Sequence, residues 1–303
     1  MSGKVQIVEV GPRDGLQAES VGLSVEERVE FIHRLEACGV DRVEAASFVN
    51  PKRVPQMAGA EELMALLPHR DGRSRIGLVL NLKGWERLKA TSCDEANVVV
   101  SASDAFGQRN QGSTTAEQMQ VLAAIAEDRR ANGGPPISLT LSAAFGCPYE
   151  GEIPLSRVAG IVRDAAAIGV EEIALADTIG AADPWAVADR ISAAREAAGG
   201  VQLRAHFHDT RNTGLANAAA AVQAGVGVLD ASCGGIGGCP FAPGATGNVA
   251  TEDLVYMLER GGFSTGLDLD GLIATAKWIS GKLGRPAASA LARAGGFPRA
   301  RAA

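Results

Sequence analysis

The chain lacks the marks of several protein classes. It has no excess of positive charge: 29 Lys and Arg stand against 35 Asp and Glu, a formal net charge of −6. A nucleic-acid surface is therefore not expected, and no nucleic-acid partner is assigned. A small anionic ligand stays open, because one or two arginines in a pocket suffice. Cysteine is sparse: Cys38, Cys93, Cys147, Cys233 and Cys239, an odd number with no C-x-x-C. In a chain of this length that fits a reducing compartment better than a disulfide scaffold. No apolar run approaches the roughly 18 residues of a membrane span, so no membrane partner is expected. The opening "MSGKVQIVEV" enters a strand pattern at once and is not a secretory signal. The final "RAA" is no peroxisomal address. The cytoplasm is the expected location.

Nucleotide fingerprints are missing too. No strand runs into a G-x-G-x-x-G opening a helix, and the glycine-rich stretch 234–248 lacks the G-K-[ST] of a phosphate loop. Low-complexity linkers and convincing internal repeats are also absent.

What is there alternates. "KVQIVEV" reads as a strand and "SVEERVEFIHRLEAC" as a helix, with Ser24 and Glu27 as a capping box and Gly39 as the stop. "VDRVEAA", "RIGLVL", "ANVVVSAS", "ISLTLS", "EEIALADT", "VQLRAHFH" and "VGVLDASC" continue the strands. Each is followed by a helical pattern, such as "TAEQMQVLAAIAEDRRAN" capped by Thr114 with Glu117, or "PWAVADRISAAREAAG" behind Asp183 and Pro184. Eight strand–helix units and a final helix near "LDGLIATAKWISGKLG" predict one (β/α)8 barrel, a single domain over residues 1–303. A doubly wound sheet is the alternative, and the missing fingerprint argues against it.

In such a barrel the active site lies where strands end. The first strand ends in "GPRDGLQ", with Arg13 and Asp14; the second is expected to end at Glu44 and the sixth at Asp177. The seventh holds two of the chain's four histidines: in "QLRAHFH", Arg204, His206 and His208 share one face, opposite Leu203, Ala205 and Phe207. The two imidazoles are then about 7 Å apart by rise alone, near enough to lean onto one ion. Asp14, His206, His208 and Asn248 could offer two nitrogens and two oxygens to a divalent metal. That mixture without thiolate favours Mg2+ or Mn2+. The glycine-rich loop after the eighth strand is expected to close over substrate and bring Cys239 in. Plainer roles compete: Arg13 and Asp14 as a loop ion pair, Cys239 as a small buried hydrophobe, Asp209 as a hydrogen-bond anchor. Cys38, Cys93 and Cys233 read as core, Cys147 is left open, and His33 and His69 receive no role.

The segments "VEVGPRDGLQAE", "VEAASFVNPKRVPQM", "FGCPYEG", "ADTIG", "HFHDT" and "GGIGGCPFAPGATGNVATEDLVYMLE" resemble hydroxymethylglutaryl-CoA lyase, of the DRE-TIM metallolyases. The resemblance runs from about residue 4 to 284. It implies cleavage of 3-hydroxy-3-methylglutaryl-CoA to acetyl-CoA and acetoacetate with a divalent metal. It also implies a role for each residue: Asp14 or His206 as base, Arg13 stabilising the thioester enolate, Cys239 protonating the enolate carbon. Glu44 would hold Arg13, Asp177 and Glu252 would support, and relatives being commonly oligomers makes a homo-oligomer an expectation. Lys52, Arg53 and Arg109 follow strand ends as candidate contacts to the CoA phosphates. Rivals are the forward-running isopropylmalate and homocitrate synthases, a pyruvyl-substrate aldolase without CoA, and a non-enzymatic metal-binding protein. The departure is local: "HDTRNTGLAN" stands where the better-known lyases resemble "HDTYGQALAN". Arg211 is therefore expected to tune the acyl group accepted, with a 3-hydroxy-3-alkylglutaryl-CoA or citramalyl-CoA as alternative substrate.

Overall fold

The structure is a computed structural model and describes residues 3–69, 72–238 and 247–298. Eight strands close into a barrel in sequence order: β1 Gln6–Glu9, β2 Arg42–Ser47, β3 Ser74–Val79, β4 Glu95–Ser101, β5 Ile137–Ser142, β6 Glu172–Asp177, β7 Gln202–Phe207 and β8 Val228–Ala231. Every neighbouring pair is parallel, and β1 closes onto β8 with Gln6 opposite Val228. The crossovers carry α1 Val25–Ala37, α2 Ala60–Ala65, α3 Leu82–Lys89, α4 Asp104–Gln111, α5 Thr115–Asn132, α6 Leu155–Ile168, α7 Pro184–Ala198 and α8 Gly214–Gln223. After β8 come α9 Thr251–Arg260, α10 Leu269–Lys282 and α11 Leu291–Ala294. No helix among the described residues is long and apolar enough to cross a membrane.

The predicted caps form. Ser24 and Thr114 each accept from a backbone N–H three residues on and receive the reciprocal carboxylate of Glu27 and Glu117. Asp183 accepts from the N–H groups of Trp185 and Ala186, with Pro184 first in the helix. Two helices escape the sequence reading. In α4, "DAFGQRNQ" shows no apolar stripe; Ser103, accepting from the Phe106 N–H, and left-handed Gly112 bracket it instead. The last helix, α11, has only four residues, too few for a periodic signal.

One strand boundary is corrected. Glu44 does not end β2; the strand runs on through buried Ala45, Ala46 and Ser47, with a register shift against β3 between Glu44 and Ala46. A bulge inserts a residue and re-aims the side chains around it. Glu44 still faces into the barrel, one layer below the rim, where it can support a side chain from above.

Alternation along the strands separates two environments. One face, with Val98, Leu139, Ile173, Leu203 and Leu229 among its buried residues, packs under the helices. Barrel interiors are commonly filled by branched apolar side chains. Here Val8, Val10, Ile76 and Val228 form only a small apolar cluster, and much of the interior is charged. Arg42 donates to both oxygens of Glu95 and of Glu172 at 2.7–3.1 Å. Arg204 lies 3.1 Å from Glu172 and 3.4 Å from Asp230. Buried charges cost several kcal/mol of desolvation each unless paired (order of magnitude), so this chain of ions is tolerable only because each member has a counter-charge. Its upper end is Asp230, which touches His206.

Candidate active site

The rim begins at a π-turn. After β1 the Gly15 N–H reaches back to the Val10 carbonyl, five residues away, at 3.1 Å, so Gly11–Gly15 winds wider than an α-turn. Such turns recur at functional sites. Gly15 has no room for more: a Cβ there would lie 2.6 Å from the Ile236 side chain and 2.8 Å from Ser232.

The turn presents Arg13 and Asp14 side by side. Arg13 donates through Nε to Glu44 Oε2 at 2.6 Å and through Nη1 to Asp14 Oδ1 at 2.7 Å. Glu44 is fixed from beneath by Asn97, whose Nδ2 donates to Oε1 at 2.9 Å. Asp14 accepts on its other oxygen from Asn248 Nδ2 at 2.9 Å and lies 4.0 Å from His208 Nε2. The expected partners thus meet: the DRE residues in one chain of contacts, and Asp14, His206 and His208 with ligand atoms all within 4.8 Å of one another. The imidazole centroids are 5.1 Å apart. Asn248, in bridge pairing with His208, brings the fourth group.

Electrostatics shift the ionisable groups of the cluster in different directions. Burial would raise the Asp14 pKa, but Arg13, then His206 and His208, hold it well below the usual carboxylate range. His208 is pushed down to about 4 by burial and by its neighbour His206, so it is a neutral imidazole near pH 7. His206 moves the other way: burial opposes its charge, but the hydrogen bond from Nδ1 to Asp230 at 3.1 Å and the carboxylate's charge raise its pKa. That bond also fixes the ring so that Nε2 turns away from Asp230. A metal-binding histidine is commonly oriented this way, by a carboxylate on its other nitrogen.

The donor set fits a divalent cation. Two buried atoms at the cluster, Asn248 Oδ1 and His208 Nδ1, lack a hydrogen-bond partner among the described residues. A buried orphan acceptor costs about 1–3 kcal/mol, and a cation beside Asn248 Oδ1 removes that cost. Nitrogen and oxygen donors without sulfur suit a harder ion.

The remaining candidates are dispersed. Asp177 is buried and accepts from the N–H groups of Ala181 and Ala182 at 2.9 and 3.0 Å, folding the turn after β6 over itself; burial raises its pKa. Glu252, pushed up to about 7 by burial, accepts from the Gly234 N–H at 3.0 Å. Both acids brace loops. Arg211 points neither into the cluster nor at Asp209: its Nη1 donates to the carbonyls of Ile179 and Gly180 at 2.7 and 2.9 Å, tying the turn after β6 to the loop after β7. Asn212 beside it has φ +60°, a conformation asparagine tolerates and glycine adopts freely, so the backbone path survives the departure from the family pattern. Asp209 caps α8 through the Gly214 N–H at 2.8 Å, the anchor role expected of it. Lys52 and Arg53 are exposed in the turn after β2, and Arg109 lies 4.0 Å over the Tyr149 ring; none of the cluster's contacts is to them. Cys38 and Cys233 are buried, and Cys93 is partly buried against the core. Cys147, left open by the sequence, is buried 2.9 Å from Ser103 Oγ. His33 is half-buried on α1, and His69 pairs with Asp94 in a loop. Cys239 and most of its glycine-rich loop lie outside the described residues.

Sequence reasoning missed Asp230, Asn97 and Glu9. Glu9 accepts from Gly11 and Cys233 N–H groups and from the Thr251 hydroxyl at 2.6–2.9 Å, and burial pushes its pKa up to about 7. The available signal was an ionisable residue at an alternating position inside an otherwise apolar strand, as in "VGVLDAS".

The chain is similar to known lyases over nearly its whole length. Residues 4–279 match the HMGL-like family. The (R)-citramalyl-CoA lyase of Chloroflexus aurantiacus is 43% identical, over 96% of this chain and 95% of that one. The hydroxymethylglutaryl-CoA lyase YngG of Bacillus subtilis is 40% identical over 93% and 94%. The solved structure of an HMG-CoA lyase from Acinetobacter baumannii, in complex with coenzyme A and 3-methylmalate, superposes with TM-score 0.93 at 37% identity, covering 99% of this chain and 98% of that one. A closed eight-stranded barrel carrying an Arg–Asp–Glu chain of contacts and a two-histidine cluster, matched over nearly its whole length, belongs to the HMGL-like family of carbon–carbon lyases.

Proposed function

We propose that the chain cleaves 3-hydroxy-3-methylglutaryl-CoA to acetyl-CoA and acetoacetate, with Mg2+ or Mn2+ held by Asp14, His206, His208 and Asn248. The observation that carries this reading is the conjunction of three features: converging ligand atoms, an orphan Asn248 Oδ1, and Arg13 within hydrogen-bond reach of Asp14. Bound there, the ion supplies positive charge that acidifies the substrate's tertiary hydroxyl. The hydroxyl proton passes to Asp14 or His206, the two candidate bases. As the C2–C3 bond breaks, its electron pair moves into the thioester half, which becomes an enolate, while the hydroxyl carbon becomes a ketone. Arg13, held rigid by Glu44, donates to the enolate oxygen, and a preorganised donor costs no reorganisation at the moment of reaction. Cys239 returns a proton to the enolate carbon. Glu44 supports through Arg13, Asp177 and Glu252 through the loops they brace. We assign the chain to the cytoplasm, a reducing compartment that suits its few, odd-numbered cysteines.

Replacing Arg13 by Met is expected to lower kcat by about 10²-fold, the scale for losing one oxyanion donor. An effect confined to KM, measured by steady-state kinetics, would assign Arg13 to ground-state binding instead.

The citramalyl-CoA alternative is favoured by the 43% identity to an enzyme of that name. The same bond-breaking machinery would then release pyruvate in place of acetoacetate. The deciding experiment is a turnover screen of both thioesters and of larger 3-hydroxy-3-alkylglutaryl-CoA analogues, with products identified by chromatography. Cleavage of none, with metal supplied, sinks the proposal. The screen also tests Arg211. Because it ties two rim loops together, Arg211→Tyr is expected to change the ratio of kcat/KM between substrates by several-fold, through loop position rather than direct contact. A uniform fall across the panel, or no change, would remove Arg211 as a specificity residue.

A further inference from the structure

Three segments far apart in sequence meet at Glu19. This residue follows Asp14 by five positions and is buried. Its Oε1 accepts from the Gly237 N–H at 3.0 Å. Its two oxygens also accept from Arg285, Oε2 from Nε at 3.2 Å and Oε1 from Nη2. Arg285 lies beyond α10, at the head of a segment docked against the β8 end of the barrel: the Ala288 N–H donates to the Gly234 carbonyl at 3.1 Å, and Asp253 accepts from Ala290 and Leu291 at 2.8 Å.

Gly237 is one side of a narrow neck. Its carbonyl accepts from the Gly247 N–H at 3.1 Å. A Cβ on Gly247 would sit 2.5 Å from that carbonyl oxygen, and one on Gly237 would sit 2.8 Å from Asn248 Nδ2. Gly237 also has φ +99°, so this backbone path excludes any side chain. Next to the neck, Asn248 Nδ2 divides its two protons between Asp14 Oδ2 at 2.9 Å and the Ile236 carbonyl at 3.2 Å. The Ile236–Gly237 peptide therefore touches Asn248 on one side and Glu19 on the other. Its carbonyl holds the amide nitrogen of Asn248, which leaves Oδ1 turned away from it, and its N–H is held by Glu19.

We propose that Glu19 and Arg285 are positioning residues for Asn248. Glu19 fixes the Ile236–Gly237 peptide, that peptide fixes the Asn248 amide, and Arg285 aims the Glu19 carboxylate. The C-terminal segment is then a working part of the metal site, although it lends no ligand. The inference rests on the reading of Asn248 as a ligand.

The test measures Mn2+ affinity of the full chain by electron paramagnetic resonance, below the melting transition, for the parent, Glu19→Ala, Glu19→Gln and Arg285→Met. Partners that orient ligands are commonly worth about 10–100-fold in metal affinity. Glu19→Ala is expected to weaken Mn2+ binding by about 10-fold. Glu19→Gln keeps an acceptor for the Gly237 N–H and is expected to recover most of that loss, with Arg285→Met in between. A merely structural pair would lower the melting temperature and leave the Mn2+ affinity at the parent value, which overturns the inference. If Glu19→Ala does not fold, Arg285→Met decides alone: weaker binding supports the inference and parent-like binding overturns it. If the parent itself binds no Mn2+, the metal reading has failed separately. Amide hydrogen exchange across residues 232–238 then tests the clamp, with faster exchange in Arg285→Met supporting it and unchanged exchange overturning it.

Discussion

Exhaustive chelation is expected to take thioester cleavage to background, a loss of at least about 10³-fold, and added Mg2+ or Mn2+ to restore it. A metal in such a site contributes several kcal/mol of transition-state stabilisation, and each tenfold in rate is about 1.4 kcal/mol. The loss should come without unfolding. Asp14 has Arg13 and Asn248 as partners, and His206 has Asp230, so the cluster is held by protein contacts alone. Circular dichroism of the stripped protein should therefore match the loaded one, while the loaded form melts at a higher temperature by simple linkage. Full activity after chelation, verified by elemental analysis, would remove the metal from the mechanism.

The sequence and the structure converge most closely where chemistry and strand geometry coincide. His206 and His208 were legible because alternation on a strand puts them on one face, and the structure has them 5.1 Å apart between ring centroids. The barrel was legible because helix caps such as Ser24 with Glu27 and Asp183 with Pro184 are local devices, readable without tertiary context. Glu44 was found but misplaced. A bulge is a property of two paired strands, and a single strand's sequence gives little sign of it.

What stayed hidden depends on distant partners. Asp230 looks like any acid in a strand until Arg204 and His206 stand on either side of it. Arg211 invited a reading as a residue that tunes the acyl group, because a positive charge at a barrel mouth can meet an anionic substrate. Its Nη1 is already engaged by two carbonyls of a neighbouring loop, an engagement no pattern within "HDTRNTGLAN" encodes. Glu19 and Arg285 are separated by 266 positions, and only closure of the barrel brings them together.

Cys239→Ala is expected to lower kcat by about 10²–10⁴-fold, the usual scale for loss of a general acid, while Mn2+ affinity stays at the parent value because no ligand is removed. The choice of this thiol over the others is physical. Cys93 is pushed up to about 12 by burial, and Cys233 is raised well above the ordinary thiol range by burial, with Glu252 and Glu9 adding to it. Neither borders the metal cluster: Cys93 packs into the core, and the Cys233 thiol donates to the Leu272 carbonyl at 3.5 Å. Cys147 is engaged with Ser103. In sequence, Cys239 follows directly on the Gly237–Gly238 segment, whose Gly237 N–H is anchored to Glu19 and whose carbonyl partner Gly247 precedes the proposed ligand Asn248. Cys239→Ser should not rescue the rate, since an alcohol is a far weaker acid than a thiol. If kcat of Cys239→Ala is near normal in steady-state assays, protonation of the enolate falls to another group or to water, and the cysteine leaves the mechanism while the metal and Arg13 stay in it.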